Sequence, residues 1–246
     1  MTETKSLSQP ACPDIPFGVY KRQQARVSRR RLYPVTIFYS TYALILLMMG
    51  FRSPHPVVAA TFFALGLPVW TLTEYGFHRF VLHGRFPPGE GVIRRFMHER
   101  LDPLHWEHHK RPFDGHHVNG ELRDLLPLFF VAAPMSFIGP IYTLPMLLAG
   151  VVQFYVIEEW VHHSVHYYNF RDPYFRYMKR HHFYHHSTKG MDKGYGLTNG
   201  FWDIIFKTRL PDSVGKALYG KSVRSMQGAP SESVGSHSRA AVRSQP

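Results

Sequence analysis

Cysteine is almost missing from this sequence, in which Cys12 is the only one among 246 residues. A single thiol excludes a disulfide framework and, within one chain, a metal site built from thiolates. Any metal that the protein binds must therefore be held by histidine and carboxylate side chains, and the sequence contains 17 histidines.

Both ends of the chain lack the large apolar residues that a packed core requires. Residues 1–31 are polar and basic, and residues 209–246 are dominated by serine, glycine, lysine and arginine. Such segments bury too little apolar surface to repay the entropy lost on ordering. We therefore predict a flexible basic N-terminal segment over 1–31, one domain over 32–208, and a disordered C-terminal tail over 209–246.

Acidic residues are scarce, with 17 against 29 basic ones and a formal net charge of +12. A basic balance is compatible with binding to nucleic acid. However, 44% of the residues are hydrophobic, they occur in long blocks, and the basic residues border those blocks. This arrangement favours contact with anionic lipid headgroups, and we predict no nucleic-acid partner.

Three apolar blocks predict membrane helices, because about 20 helical residues are needed to cross a bilayer. Leu32 to Phe51 meets this length, and Val57 to Thr73 falls slightly short. Leu125 to Val156 is interrupted at Gly139, which leaves two short halves that either span or re-enter the membrane. The sequence thus predicts an all-α integral membrane protein with about four transmembrane or re-entrant helices in two hairpins; buried helices of a soluble protein are the alternative.

The positions of lysine and arginine predict the orientation. Seven lie in residues 1–31, eight in 74–123 and eight in 158–209, whereas the turns within the two hairpins hold only Arg52. By the positive-inside rule, both hairpins enter from the cytosol and return to it. The N-terminus, the C-terminus and all histidine clusters are then expected on the cytosolic side.

Ten histidines occur at spacings that indicate metal ligands rather than scattered core residues. On an α-helix, residues at i, i+3 and i+4 lie within an arc of about 100° on one face, whereas residues at i and i+5 point about 140° apart. Two histidines at i and i+5 are therefore expected to serve different metals or different sides of one cluster. Ten imidazoles suit two metal ions. The candidates are His78 and His83 (the i,i+5 pair), His105, His108 and His109, His162 and His166, and His182, His185 and His186.

The donor set narrows the chemistry. Imidazole suits iron, zinc, copper and nickel, while zinc hydrolases need only three or four ligands. A two-metal, all-imidazole site beside apolar helices is better suited to iron and to O2 chemistry on a lipid C–H bond, which side chains alone cannot perform. A metal-binding or transport protein is the alternative from another class, but it predicts ligands within the apolar blocks, which hold essentially none.

Residues beside the candidate ligands were considered as their hydrogen-bond partners, since a ligating imidazole usually donates its second N–H to an acceptor. Glu74 and Glu158 precede His78 and His162 by four residues, and Asp114 follows the second cluster. Their alternative role is that of charges at helix ends. His163 and His181 adjoin candidate ligands and are expected to support the site or to lie at the surface.

Several segments resemble the fatty acid hydroxylase superfamily, and most closely the fatty acid 2-hydroxylases. The resemblance covers roughly residues 74–208. It rests on the histidine pattern, on the His-His-Lys-Arg-Pro-Phe-Asp-Gly stretch that begins at His108, and on Gly194–Tyr195–Gly196. It implies four membrane helices beneath a cytosolic helical cap that holds a dimetal histidine site, with the ten histidines named above as ligands.

The resemblance also implies an activity and its requirements. It implies an O2-dependent oxidoreductase that hydroxylates a lipid acyl chain, at carbon 2, with two electrons. Iron is the expected metal, although zinc can occupy such a site in an isolated protein. Residues 1–31 are too short for a cytochrome b5 domain, so a separate ferredoxin or cytochrome b5-like donor with its reductase is expected. A sterol, carotenoid or other lipid hydroxylase or desaturase of the same superfamily is the alternative.

Overall fold

The computed structural model describes residues 15–214, in which helices joined by loops are the regular secondary structure and no β-strand is present. This confirms the predicted all-α class. The helices are α1 (Phe17–Phe51), α2 (Pro56–Gly76), α3 (Val92–Phe96), α4 (Asp102–Lys110), α5 (Leu122–Ala132), α6 (Leu144–Tyr167), α7 (Pro173–His185) and α8 (Phe201–Ile205). A π-helical segment, Phe77–Leu82, continues α2, a second one, Met97–Leu101, joins α3 to α4, and a 3-10 turn, Ala133–Phe137, follows α5.

Three helices within residues 15–214 are long and apolar enough to cross a membrane: α1, α2 with its π-helical continuation, and α6. Large apolar side chains such as Ile37, Leu44 and Val57 are exposed on α1 and α2. Exposed apolar surface of this extent is suited to lipid rather than to water. Most of α6, by contrast, is buried between α1 and α2, so it forms the centre of the bundle.

Two helix lengths differ from the sequence prediction. The second block, predicted to be slightly short, continues without interruption to Leu82 and reaches 27 residues. The third block does not divide into equal halves: α5 has 11 residues and α6 has 24. Pro127 within α5 and Pro134 at the start of the 3-10 turn explain the short first half, because proline lacks the N–H that continues a helix.

The prediction of a flexible segment over residues 1–31 is wrong for the part that the structure describes, since α1 already begins at Phe17. Ala25, Ser28 and Leu32 recur at helical spacing and are buried, and Ala25 packs with Val118 and Tyr167. These contacts repay the cost of ordering a basic segment. The remaining predicted flexible residues, 1–14 and 215–246, lie outside the described residues.

Helices α2 and α6 approach closely at a pair of glycines. A Cβ atom on Gly66 would lie 2.5 Å from the carbonyl carbon of Gly150, and one on Gly150 would collide with the carbonyl oxygen of Phe63. Small residues are the usual means by which membrane helices pack backbone against backbone. This contact fixes α6 relative to α2, and both α6 and the π-helical continuation of α2 carry histidines at the same end of the bundle.

Candidate metal centre

The fold brings all ten predicted histidines together at one end of the long helices, where their ring nitrogens form two groups. Within each group, one nitrogen per residue lies within 4.8 Å of the others. The first group is His78, His83, His105, His109 and His185, and the second group is His108, His166, His182 and His186. His162 adjoins the second group, as described below.

The π-helical segment places His78 and His83 on the same side. The backbone N–H of His83 donates to the carbonyl of His78 at 3.1 Å, five residues back, as a π-helix requires. The two rings are consequently neighbours, with centroids 5.1 Å apart. The separation of about 140° assumed α-helical geometry, which the π-helical turn replaces. Both residues belong to the first group, which agrees with the alternative of one cluster and not with that of different metals.

The first group is closely packed nitrogen to nitrogen. The Nε2 atoms of His83 and His185 are 2.9 Å apart, and those of His105 and His109 are 3.0 Å apart. The Nε2 atom of His78 is buried, and no residue within 15–214 gives it a hydrogen-bond partner. A buried polar atom of this kind needs an explanation. Convergent lone pairs around one point are explained by a cation, so these residues fit a metal ion.

The second group has the same character. The Nε2 atom of His182 lies 2.7 Å from that of His166 and 2.9 Å from that of His186. His162 joins it, since its Nε2 atom is 3.1 Å from that of His182 and 3.2 Å from that of His166. Each group therefore has five imidazoles available, and all-nitrogen donor sets of this kind suit iron or zinc.

Neighbouring residues of the chain contribute to different groups, which keeps the groups adjacent. His108 and His109 of α4 divide between them, as do His185 and His186 at the end of α7. The rings of His109 and His186 are 4.4 Å apart between centroids. The arrangement thus places two candidate metal sites side by side rather than far apart.

Burial keeps these imidazoles neutral. It lowers the pKa of His83 to about 4, and burial together with the nearby His83 lowers the pKa of His109 to about 3. The same cause lowers the pKa of His108 and His182 well below the usual value. A neutral imidazole offers the lone pair that a metal needs, so the site is ready for binding at neutral pH.

Two histidines of the first group are oriented by the backbone of one loop, residues 193–198, which we name the ligand-orienting loop. The Nδ1 atom of His78 lies 2.5 Å from the carbonyl oxygen of Tyr195, and that of His185 lies 2.6 Å from the carbonyl oxygen of Lys193. A carbonyl can only accept, so Nδ1 carries the proton in both rings. Nε2 is then the atom left for a metal.

Asp203 holds this loop from one side. Its buried carboxylate accepts from the backbone N–H groups of Tyr195 and Gly196, each at 2.9 Å, and from the hydroxyl of Thr208 at 2.7 Å. His181 places its Nε2 atom 3.2 Å from the same carboxylate. The loop also turns at Gly194, where φ is +69°, a conformation that favours glycine.

Glu74 holds the loop from the other side. Its carboxylate accepts from the backbone N–H of Leu197 at 2.5 Å, and from both the N–H and the hydroxyl of Thr198, at 3.0 Å and 2.7 Å. One carboxylate from α2 and one from α8 thus fix the loop that orients His78 and His185.

The residues predicted to support the ligands act differently from what the sequence suggested. Glu74 binds the loop and not His78, and Asp114 pairs with His117 at 3.1 Å. Glu158 lines the cavity described below and makes no hydrogen bond to an imidazole within the described chain. No hydrogen bond joins any of these three carboxylates to a candidate ligand within the described residues, and at His78 the carbonyl oxygen of Tyr195 occupies the position considered for Glu74.

The two off-motif histidines divide in role. His181 supports the first group indirectly, through Asp203. His163 is fully buried, and its Nδ1 atom lies 2.8 Å from the hydroxyl of Ser28 on α1, which donates to Asn119 at 2.6 Å. His163 therefore ties α6 to α1 in a polar network separate from both groups.

Sequence reasoning missed the carbonyls of Lys193 and Tyr195. A side-chain pattern carries no information on which carbonyl meets an imidazole. The available signal was the pair of glycines that flank Tyr195, since a Cβ on Gly196 would collide with the carbonyl of Asn199. That signal predicts a tight turn but not its role.

An apolar cavity reaches both groups. Histidines line it from the first group (His78, His105) and from the second (His108, His182), together with His162. Carboxyl and amide side chains are also present, notably Asn119 and Glu158. The apolar lining includes Trp70, Phe77, Leu82, Phe96, Leu104, Leu125 and Leu128. Mostly apolar walls with a few polar groups are typical of ligand sites.

Fold and site together define a membrane-helix protein with two adjacent histidine groups, each able to hold a metal ion, beside an apolar cavity. Comparison with known families agrees with this class. The fatty acid hydroxylase family matches residues 63–208, which is more than half of the chain. The chain therefore belongs to the fatty acid hydroxylase family.

Individual relatives support this assignment. A dihydroceramide fatty acyl 2-hydroxylase, FAH2 of Arabidopsis thaliana, is 31% identical over 59% of this chain and 59% of the relative. A fatty acid 2-hydroxylase of Rattus norvegicus is 32% identical over 61% of this chain and 40% of the relative. The chain thus matches about half the length of such relatives.

A solved structure supports the fold. The hydroxylase domain visible in the structure of full-length scs7p is similar with a TM-score of 0.63 and 27% sequence identity, over 73% of this chain and 67% of that one.

Proposed function

We propose that the protein is an O2-dependent oxidoreductase that hydroxylates a lipid acyl chain, at carbon 2. The observation that carries this proposal is the apolar cavity whose lining includes histidines of both groups. An acyl chain placed there would have its C–H bonds beside the metal centre. The names of the relatives, which include fatty acid and dihydroceramide fatty acyl 2-hydroxylases, support the choice of carbon 2.

The ten histidines are the proposed ligands of two iron ions, with zinc as an occupant in isolated protein. When bound, the irons supply the O2 activation that no side chain provides. The protein contributes the ligands, their fixed tautomers and the exclusion of water by the cavity walls. One oxygen atom enters the C–H bond and the other leaves as water, which consumes two electrons and two protons. A separate ferredoxin or cytochrome b5-like protein with its reductase supplies the electrons.

The polar part of the cavity favours a neutral acyl lipid over a free fatty acid. Glu158, Glu159, Asp124 and Asn119 line it, and its lining within the described residues includes no lysine or arginine. A free carboxylate would meet several acidic groups, whereas an amide-linked acyl chain presents N–H and O–H donors that these oxygens accept. Carbon 2 adjoins that polar end, next to the carbonyl.

The proposed orientation places both termini and the metal centre in the cytosol. Lysine and arginine are concentrated in the segments at the histidine end of the bundle, while the opposite turns contain only Arg52. This distribution is typical of cytosolic segments. Histidines at one end of the helices, rather than along them, also argue against a metal transporter.

The test is product analysis with purified, iron-loaded protein in lipid nanodiscs. With O2, a reductant and an N-acyl lipid, mass spectrometry should detect a 2-hydroxyacyl product, and a free fatty acid should react more slowly. His185→Ala should remove activity and lower the metal content. Hydroxylation at another carbon would contradict the assignment to carbon 2, and absence of O2 consumption with every acyl lipid would contradict the activity.

A further inference from the structure

Two lysines lie against each other beside the second group. The side chains of Lys21 on α1 and Lys179 on α7 are neighbours, and Lys179 donates to the carbonyl oxygen of Tyr168 at 2.7 Å. Neither lysine forms an ion pair with a carboxylate of residues 15–214. Burial and the neighbouring Lys21 lower the pKa of Lys179 to about 8, so Lys179 is mostly protonated at neutral pH, and burial also lowers the pKa of Lys21. The pair therefore lacks a counter-charge.

Aromatic rings separate this pair from the second group. The Nζ atom of Lys21 is 5.1 Å from the centre of the Phe113 ring, and that of Lys179 is 5.5 Å from the Phe183 ring. The Phe113 and Phe183 rings are 5.6 Å apart, and Phe183 lies 5.4 Å from His166. A single layer of rings thus connects the lysines to a candidate metal ligand.

With the edge of the membrane core taken at Leu32, the pair lies beyond the lipid headgroups. Lys21 precedes Leu32, where the apolar stretch of α1 begins, by 11 residues of continuous helix, which corresponds to about 16 Å at 1.5 Å per residue. The headgroup layer on each side of a bilayer is about 5–8 Å thick. A soluble partner can therefore reach these lysines more readily than a membrane phosphate can.

The surroundings resemble a protein interface. Phe17 is 60% exposed and packs edge-to-face on Phe113 at 5.3 Å. Exposed aromatic side chains are enriched where proteins dock. We name Phe17, Lys21, Phe113, Lys179 and Phe183 the lysine patch.

We propose that the lysine patch is the docking site of an acidic, one-electron carrier protein that delivers electrons to the second metal group. This inference rests on the proposed function, in which R–H, O2, two electrons and two protons give R–OH and water. The carrier, an iron–sulfur or haem protein with an acidic face, is oxidised twice per turnover. Opposite charges accelerate the encounter, and the ring layer keeps the distance between the two redox centres short.

The experiment compares two reductants in the iron-loaded, full-length protein in nanodiscs of neutral lipid. One is an acidic [2Fe–2S] ferredoxin with its reductase, and the other is dithionite. The measured quantity is the ratio of product formed with ferredoxin to product formed with dithionite. In Lys21→Gln/Lys179→Gln this ratio should fall at least tenfold, and the wild-type ratio should fall as ionic strength rises, because salt screens the attraction.

Matched variants make the outcome specific. Lys21→Arg/Lys179→Arg preserves both charges and should retain most of the ratio. Lys189→Gln, which removes an exposed charge after α7, should change it less than twofold. An unchanged ratio in the double glutamine variant, an equal loss in Lys189→Gln, or a wild-type ratio that does not depend on salt would each overturn the proposal.

Two further results separate this proposal from others. Binding of the wild type, but not of the double glutamine variant, to vesicles containing phosphatidylserine would assign the patch to lipid phosphate and overturn docking of a carrier. No product with either reductant in the wild type would refute the proposed function itself, because dithionite needs no docking site.

Discussion

Replacement of Asp203 by asparagine should loosen the first metal group and leave the second in place. The carboxylate is 0% exposed and accepts from Tyr195, Gly196 and Thr208, with His181 close by. An amide of the same size keeps one oxygen and turns an NH2 group toward donors that need an acceptor. The ligand-orienting loop, whose carbonyls hold His78 and His185, should then lose its fixed position.

The magnitude follows from the hydrogen bonds that are lost. Leaving a buried N–H unsatisfied costs about 1–3 kcal/mol. If the first metal binds only when the loop is ordered, this free energy appears in its affinity, and 1.36 kcal/mol corresponds to about a factor of ten. The affinity of the first group should therefore fall by about 5- to 150-fold, in the range usual for loss of a group that orients a metal ligand.

Competition with a chelator measures this effect. The metal content per protein is measured by elemental mass spectrometry after dialysis against increasing concentrations of chelator. Asp203→Asn should release one of its two metals at a much lower chelator concentration than the wild type does. The release of the other should change by less than threefold, because within residues 15–214 no carbonyl of the loop accepts a hydrogen bond from His108 or His166.

Asp114→Asn is the matched control, since Asp114 is a carboxylate near the site that pairs with His117 and Arg111 and not with the loop. It should release both metals as the wild type does. Parallel loss of both metals in Asp203→Asn would show that the substitution damages the whole fold, and unchanged release would show that the loop does not govern the first group. Either result refutes the reasoning.

Three other predictions follow from the structure. The pKa values of His83 and His109, about 4 and about 3, lie below the unfolded value of about 6.5, so the unfolded chain takes up protons first as pH falls. The folding stability of the metal-free protein should therefore be full above about pH 6.5 and decline toward pH 4. A thermal-unfolding temperature that stays constant over that range would contradict this. Gly150→Leu should lower the free energy of unfolding by about 1–3 kcal/mol or prevent folding, because a side chain there collides with the backbone at Phe63. A variant that unfolds in detergent at the same temperature as the wild type would argue against that contact. Cys12, the single cysteine, should react with a membrane-impermeant maleimide in inverted vesicles but not in intact cells, and the reverse pattern would place the metal centre outside the cytosol.

The helical class and the assembly of the histidines could be predicted from sequence because both depend on local patterns. Apolar blocks of about 20 residues specify membrane helices, and spacings of three and four residues place histidines on one helix face. A metal ion needs several ligands, so the four histidine-bearing segments are expected to converge. His182, for example, contacts His162 and His166 across two helices.

Other features depend on contacts between distant segments, which local patterns do not contain. Residues 17–31 look like a solvated basic segment, yet Ser28 meets His163, 135 residues away, and Ala25 packs with Val118 and Tyr167. Composition alone could not reveal these partners. The spacing of Glu74 from His78 likewise suggests that the two side chains are partners. In the structure, however, the donors nearest to the Glu74 carboxylate belong to a loop more than 120 residues later.

The π-helical turn at Phe77–Leu82 has a consequence for how such sites evolve. A π-turn accommodates one residue more than an α-turn without interrupting the helix. The five-residue step from His78 to His83 can therefore arise from a four-residue step by insertion of a single amino acid, with both imidazoles still on one side. A helix with a π-turn therefore tolerates one inserted residue between two ligands, whereas the same insertion in an α-helix would turn the two ligands away from each other. Searches for related proteins should accordingly accept both spacings as the same feature.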